Sequence, residues 1–186
     1  MISAKILEAF QNRFAHQYCD AESIKRICVY ENRLLERIAN VDEDILLARH
    51  RTNQQIIRLI KDRLAGEDLA GFYILYPITA DCERLIAKGQ IIKSSQIQNT
   101  HICNAIQASS YYLSMVYGKD RASQAYLIHL IFKDLKTAVI HNRNIQFIYV
   151  RPVTEAGFRV VEKHDFRKFR EDSGIYRRIV TDKDLA

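Results

Sequence analysis

Apolar residues recur three and four positions apart through the first third of the chain: Ile2, Ile6 and Phe10; Ile24, Ile27, Leu34, Leu35 and Ile38; then Ile56, Leu59, Ile60 and Leu64. A helix turns once every 3.6 residues, so this spacing predicts an apolar stripe on each of three helices. No proline or glycine interrupts residues 1–64. Asp20 is placed to cap the second helix, with Ser23 three residues on in place of the usual Glu, and Thr52 or Asn53 to begin the third.

The pattern changes after Gly66 and Gly71. "GFYILYPIT" (71–79) is dense in aromatic and β-branched residues and predicts a strand ending at Pro77. Thr79 or Asp81 can cap a short helix, "CERLIAKG", that Gly89 stops. Residues 90–108 read as a polar connection holding a short strand or a short helix. "SSYYLSMVYG" (109–118) predicts a strand buried on both faces, and the stretch from Ser123 to Ile140 a long helix packed on a sheet. "IQFIYVRP" (145–152) is a further strand, "TEAGFRVVEKHDF" a helix and "SGIYRRIV" a last strand. Strands alternating with helices indicate an α/β sheet with crossover connections. The 186 residues fit one domain, with residues 1–66 as a helical N-terminal part and 67–186 as the sheet-bearing core.

Composition narrows the function less than the pattern narrows the fold. The net charge of +6 suits nucleic acid, a phosphorylated cofactor or an acidic partner without choosing among them. Cys19, Cys28, Cys82 and Cys103 are widely spaced and form no CxxC pair, which argues against a zinc knuckle or a disulfide framework and for reduced thiols in a cytoplasmic protein. No signal peptide is evident at the start, and no stretch approaches the roughly 20 apolar residues of a membrane span. Of the histidines, His129 and His164 read as packed or capping groups, and His16, His50, His101 and His141 as exposed or linker-like. None has metal-ligand spacing. The basic run "HRTNQQIIRLIKDR" (50–63) is interleaved with Asp62 and preceded by Asp42, Glu43 and Asp44. It reads as a solvated amphipathic face rather than a recognition helix, which argues against nucleic acid as a partner.

The junction at Gly118 is where chemistry is expected. A strand feeding directly into a helix leaves backbone N–H groups of the first turn without helical partners, and the helix dipole favours an anion there. Lys119 and Arg121 bring two cations to the same place, Gly118 gives freedom at the turn, and Ser123 can cap the helix or donate to a phosphate oxygen. The turn lacks both the Gly-Lys-Ser/Thr ending of nucleotide hydrolases and the GxGxxG dinucleotide fingerprint.

The layout of "YYLSMVYG", a basic turn, "SQAYLIHLIFKDLKTAV", "IQFIYVRPV", a helix ending "VEKHDF" and the strand "GIYRRIV" resembles the GNAT superfamily of acyl-CoA-dependent N-acyltransferases over about residues 70–180. The resemblance implies a mixed, mostly antiparallel sheet flanked by helices, with acetyl-CoA or coenzyme A as cofactor and an unidentified amine as acceptor. It implies that the segment Met115, Val116, Tyr117, Gly118, Lys119, Asp120, Arg121, Ala122 and Ser123 binds the cofactor. In the family's turn, two small residues fall where this chain has Arg121 and Ser123, and in the family's "YEKxGF" helix ending Val161 replaces the Tyr and Asp165 the Gly. The family's frequent general acid is that missing Tyr. Tyr149 and Tyr117 are the candidate proton donors in its stead, with Glu155 and Tyr112 as weaker options for the base. The family pattern opens with a strand, where this N-terminal third reads as helix. Direct attack of the amine on the thioester requires no cysteine nucleophile. A second reading is a catalytically degenerate GNAT-fold protein that holds coenzyme A, a protein partner or nucleic acid. The aliphatic N-terminal helices offer a homodimer surface under either reading.

Overall fold

The computed structural model of the chain describes residues 3–34, 42–66 and 68–181. In chain order the elements are α1 (Ala4–Arg13), β1 (Phe14–Tyr18), α2 (Ala21–Leu34), α3 (Glu43–Thr52), β2 (Ile57–Asp62), β3 (Asp68–Ile78), α4 (Ala80–Ala87), β4 (Ser110–Gly118), α5 (Arg121–His141), β5 (Phe147–Val150), α6 (Glu155–Lys163), β6 (Arg167–Lys168) and β7 (Tyr176–Ile179). The strands form one seven-stranded sheet in the order β1-β2-β3-β4-β5-β7-β6. The α/β class and the mixed, mostly antiparallel sheet are as expected. β1 runs antiparallel to β2, β4 parallel to β5, and β7 antiparallel to both β5 and β6.

The N-terminal third departs from its sequence pattern. Ile56, Leu59 and Ile60 belong to β2 and its approach, not to a helix, and Leu64 lies in a single 3-10 turn after it. Four successive residues of β2 are buried, so both faces carry apolar side chains and the strand's alternation vanishes into an accidental helical spacing. The third helix begins earlier, capped by Asp42, whose Oδ1 accepts from the N–H groups of Asp44 and Ile45 at 2.9 and 3.2 Å. The basic run 50–63 is therefore a helix end, a loop and a strand, and no recognition helix exists there. His50, read from sequence as exposed or linker-like, is buried in α3 with Nε2 2.9 Å from the carbonyl of Cys19. β1 supplies the opening strand that the helical reading lacked; only Phe14 of its five residues is buried, as on a sheet edge. Ile2, Leu35 and Ile38 lie outside the described residues.

Other local signals act as read. Asp20 Oδ1 accepts from the Ser23 N–H at 2.8 Å, and Thr79 Oγ1 from the Cys82 N–H at 3.3 Å. Gly89, with φ +73°, turns the chain after α4. β3 continues one residue beyond Pro77, and residues 90–108 hold two 3-10 turns and a bridge between Ile102 and Ile78. No helix among the described residues is long and apolar enough to cross a membrane.

Two compact units divide the chain: Met1–Tyr73 with Tyr117–Leu127, and Ile74–Val116 with Ile128–Ala186. In the first, Phe14 stacks on Tyr126 at 5.7 Å, and Ile24, Ile27 and Leu46 are buried. In the second, Ile86, Leu130, Ile131, Ile148, Val161 and Ile175 fill the interior. Each such side chain contributes roughly 1.5–3 kcal/mol by leaving water. Cys19, Cys28 and Cys82 are buried thiols and Cys103 is half-buried.

Candidate functional site

The turn between β4 and α5 is built from a glycine, a lysine and an aspartate. Gly118 does not adopt a left-handed backbone. Its role is steric: a Cβ there would stand 2.7 Å from the backbone nitrogen of Gln124 and 2.9 Å from Ser123 Oγ, so only glycine lets the helix start so close to the strand end. Gly71 on β3 has the same function opposite, since a Cβ would meet the Tyr117 carbonyl oxygen at 2.4 Å.

Most amides of the turn already have partners. The Lys119 N–H donates to the Ala70 carbonyl at 2.9 Å and the Asp120 N–H to Ser123 Oγ at 3.0 Å. The Ser123 N–H donates to Asp120 Oδ1 at 2.7 Å, and the Gln124 N–H to the Asp120 carbonyl at 3.0 Å. Asp120 is thus the helix cap, and Ser123 Oγ also donates back to its carbonyl at 2.8 Å. Among the described residues nothing accepts from the N–H groups of Arg121 and Ala122, the first two residues of α5. The Arg121 side chain is exposed.

The lysine of the turn is also engaged. Lys119 Nζ lies 3.0 Å from Asp62 Oδ2, at the end of β2. Arg13 binds the same oxygen through Nε at 3.1 Å and Nη2 at 2.8 Å, and its Nη2 reaches Asp120 Oδ2 at 2.8 Å. Asp62 is 2% exposed. The Arg13 hydrogen bonds hold its carboxyl far below the usual carboxylate range against the opposing effect of burial, with Lys119 adding to the shift. Burial likewise opposes, and hydrogen bonds from Ser123 and then Arg13 outweigh it to keep Asp120 low. Two carboxylates and two cations balance each other, and among the described residues no carboxylate pairs with Arg121.

The strand leading into the turn opens on one side. Ser110, Tyr111, Tyr112 and Leu113 pair with Phe147, Ile148, Tyr149 and Val150 of β5, and there the pairing stops. β4 continues through Ser114, Met115, Val116 and Tyr117, and these four change from buried to half-buried. The Tyr117 ring packs 5.7 Å from Phe72.

Tyr149 faces a different environment. It is 1% exposed, and its hydroxyl lies 3.5 Å from Glu83 Oε1, while Ser110 Oγ donates to Glu83 Oε2 at 2.6 Å. Burial and then the Glu83 charge push the phenol up to about 12, with Arg177 opposing. Glu83 lines an open groove of about 260 Å³ with Ala80, Arg84, Ala87, Ser109 and Gln146. Ser109 and Gln146 precede β4 and β5, so the Tyr149 hydroxyl is directed to the beginning of the strand pair, whereas the opening lies past its end. Tyr112 is buried, and its hydroxyl is shifted strongly upward by desolvation. Glu155 is exposed in the first turn of α6, 3.5 Å from Arg159.

The fold that carries this parting strand pair is shared with solved structures. The chain superposes on the loading GNATL domain of CurA from Lyngbya majuscula with a TM-score of 0.62 at 8% identity, covering 89% of this chain and 97% of that one. This is a GNAT fold. Ard1 from Thermoplasma volcanium matches with a TM-score of 0.57 at 11% identity, over 91% of this chain and 99% of the other. YncA from Salmonella typhimurium, a putative acetyltransferase solved with its cofactor acetyl-CoA, matches with a TM-score of 0.54 at 12% identity, over 83% and 80%. No family model matches the sequence, and no curated protein matches it.

The strand-to-helix turn at Gly118 is legible in the sequence, but Arg13 and Asp62, the residues that tie it down, are not. Arg13 and Asp62 are 49 residues apart, and Arg13 and Asp120 are 107 apart, so no periodicity links them. The one available signal was an aspartate at the end of an apolar run, where a buried carboxylate demands a cation.

Proposed function

We propose that the chain is an acyl-CoA-dependent N-acyltransferase that transfers an acetyl group to an amine by direct attack. The observation that carries this reading is the course of β4: it leaves β5 after Leu113, runs on half-buried to Gly118, and enters a helix whose first two amides have no acceptor among the described residues. Those N–H groups, of Arg121 and Ala122, together with the Arg121 guanidinium, suit the diphosphate of coenzyme A. Lys119, Asp120 and Ser123 shape the turn rather than touch the phosphates. Arg13 neutralises the Asp120 carboxylate, which would otherwise repel an anion at this helix end.

When bound, acetyl-CoA supplies an acyl group activated as a thioester. The backbone N–H of Met115 or Val116, on the stretch of β4 that β5 leaves, holds the carbonyl oxygen as negative charge gathers on it. Tyr117, half-buried at the end of that stretch, gives its hydroxyl proton to the departing sulfur. Tyr149 has no part in this proton transfer, because its hydroxyl engages Glu83 at the other end of the strand pair. The acceptor loses its proton to solvent in the opening.

The test is a thermal midpoint with and without acetyl-CoA. At 100 times its dissociation constant the ligand stabilises the fold by about 2.7 kcal/mol. Arg121→Glu is expected to weaken that affinity at least tenfold, and Tyr117→Phe to slow thiol release with amines without altering the shift. A midpoint unmoved by any acyl-CoA rules out the acyltransferase reading. A shift without thiol release across a panel of amines leaves the chain as a binding protein of the same fold.

A further inference from the structure

Arg151 stands one residue past the end of β5, between Val150 and Pro152. Its Nε is buried and, among the described residues, no acceptor meets it and no carboxylate pairs with its charge. The Nε atoms of Arg49 and Arg58 are likewise buried without an acceptor, but Arg58 lies 3.0 Å from His16 Nδ1 and over the Tyr18 ring, and other arginines are held by carboxylates or rings. Arg13 bridges Asp62 and Asp120, Arg84 pairs with Asp81, Arg159 with Glu155 and Arg170 with Asp172, while Arg177 lies over the Phe147 and Phe169 rings at 4.3 and 4.4 Å. A buried donor without an acceptor is unfavourable in the isolated protein and becomes favourable when a ligand supplies the acceptor.

Gly174, in the left-handed region at φ +64°, has no side chain on the side facing Arg151, and a Cβ built there would stand 3.6 Å from Nε. The Arg151 charge acts on the Tyr112 hydroxyl, countering part of the effect of burial. Tyr112 pairs with Tyr149, one residue before the last β4–β5 pair, Leu113 with Val150. Arg151 therefore occupies the point where the two strands part, which in the proposed reaction is where the acceptor amine must come to the thioester.

We propose that Arg151 binds a carboxylate of the acceptor, so that the substrate class is an amine bearing a carboxylate, as in an amino acid. Nε–H and one Nη–H of a guanidinium lie parallel, with the spacing of the two oxygens of a planar carboxylate, and a half-buried arginine presents that edge without competing water. A single guanidinium beside a glycine matches this flat, singly charged group better than a tetrahedral phosphate, which calls for several convergent donors. This assignment rests on the acyltransferase reading for its chemistry but not for its binding test.

The test uses the full chain labelled with nitrogen-15 and follows the Nε–H resonance of Arg151, identified by its loss in Arg151→Lys. N-acetylglycine, which joins an acetyl group to a carboxylated amine, is expected to shift this resonance saturably; acetamide and inorganic phosphate are expected to leave it in place. No shift with N-acetylglycine, an equal shift with phosphate, or a shift with acetamide overturns the proposal. In thiol release, glycine is expected to exceed glycinamide at least tenfold in kcat/KM, and Arg151→Gln to abolish the preference. Equal loss for both amines in that variant overturns the assignment as well. A resonance that responds to N-acetylglycine in a protein whose midpoint ignores acetyl-CoA keeps the carboxylate site and removes the acyltransferase reading. The reverse pair of results removes the site and keeps the reading.

Discussion

The end of β4 and the end of β5 both carry basic side chains, and the two regions use them in opposite ways. At the β4 turn, Arg13 and Lys119 converge on the buried Asp62, and Arg13 extends to Asp120, so the charges cancel within the protein. At the β5 end, Arg151 has no counter-charge among the described residues, and its Nε is buried without an acceptor. The first arrangement fixes backbone; the second leaves a donor for something from outside. A basic residue near a candidate site is therefore informative only after its partners are known.

The comparison breaks most severely at Asp62. Asp62→Asn removes the shared acceptor of Arg13 and Lys119 and is expected to destabilise the fold by about 3 kcal/mol or more in denaturant unfolding, as when one member of a buried ion pair is lost. The same carboxylate dictates an acid response. Its folded pKa lies below the unfolded value of about 4, so its contribution is fully present above that value and declines as the pH falls further. Stability of the Asp62→Asn protein is expected to fall less steeply than wild type between about pH 4 and pH 2. Next in size, Gly118→Ala forces a methyl to within 2.7 Å of the Gln124 nitrogen, and the displaced helix start is expected to cost about 2 kcal/mol. Smallest is Arg151→Gln, which removes no ion pair and is expected to stay within about 0.5 kcal/mol of wild type by the same unfolding measurement. A large loss there would place Arg151 with the structural cations and erase the contrast.

Local chemistry was legible where it is carried by neighbours in sequence. The caps at Asp20 and Thr79, the stop at Gly89 and the strand-to-helix passage at Gly118 all follow from residues within a few positions of one another. β2 was not legible because Ile57, Leu59 and Ile60 face apolar surroundings on both sides, which erases the period of two. β1 was missed for the opposite reason: an edge strand of five residues with one buried side chain has almost no hydrophobic pattern to read. At the site, the sequence put Lys119 and Arg121 on the same footing. Only the fold shows that Lys119 reaches back to Asp62, read from sequence as part of a solvated face, while Arg121 stays exposed. Arg151 drew no attention in "FIYVRP" because nothing in that stretch reveals whether a cation will find a carboxylate.

The cysteines described above bear on how the reaction can be watched. Burial pushes the Cys19 and Cys82 thiols up to about 12 and Cys103 to about 11, so almost none of these sulfurs is ionised near neutral pH. A disulfide dye added to the native chain would consequently colour with released coenzyme and scarcely with the protein itself, and a rising blank would signal that the polypeptide had begun to open.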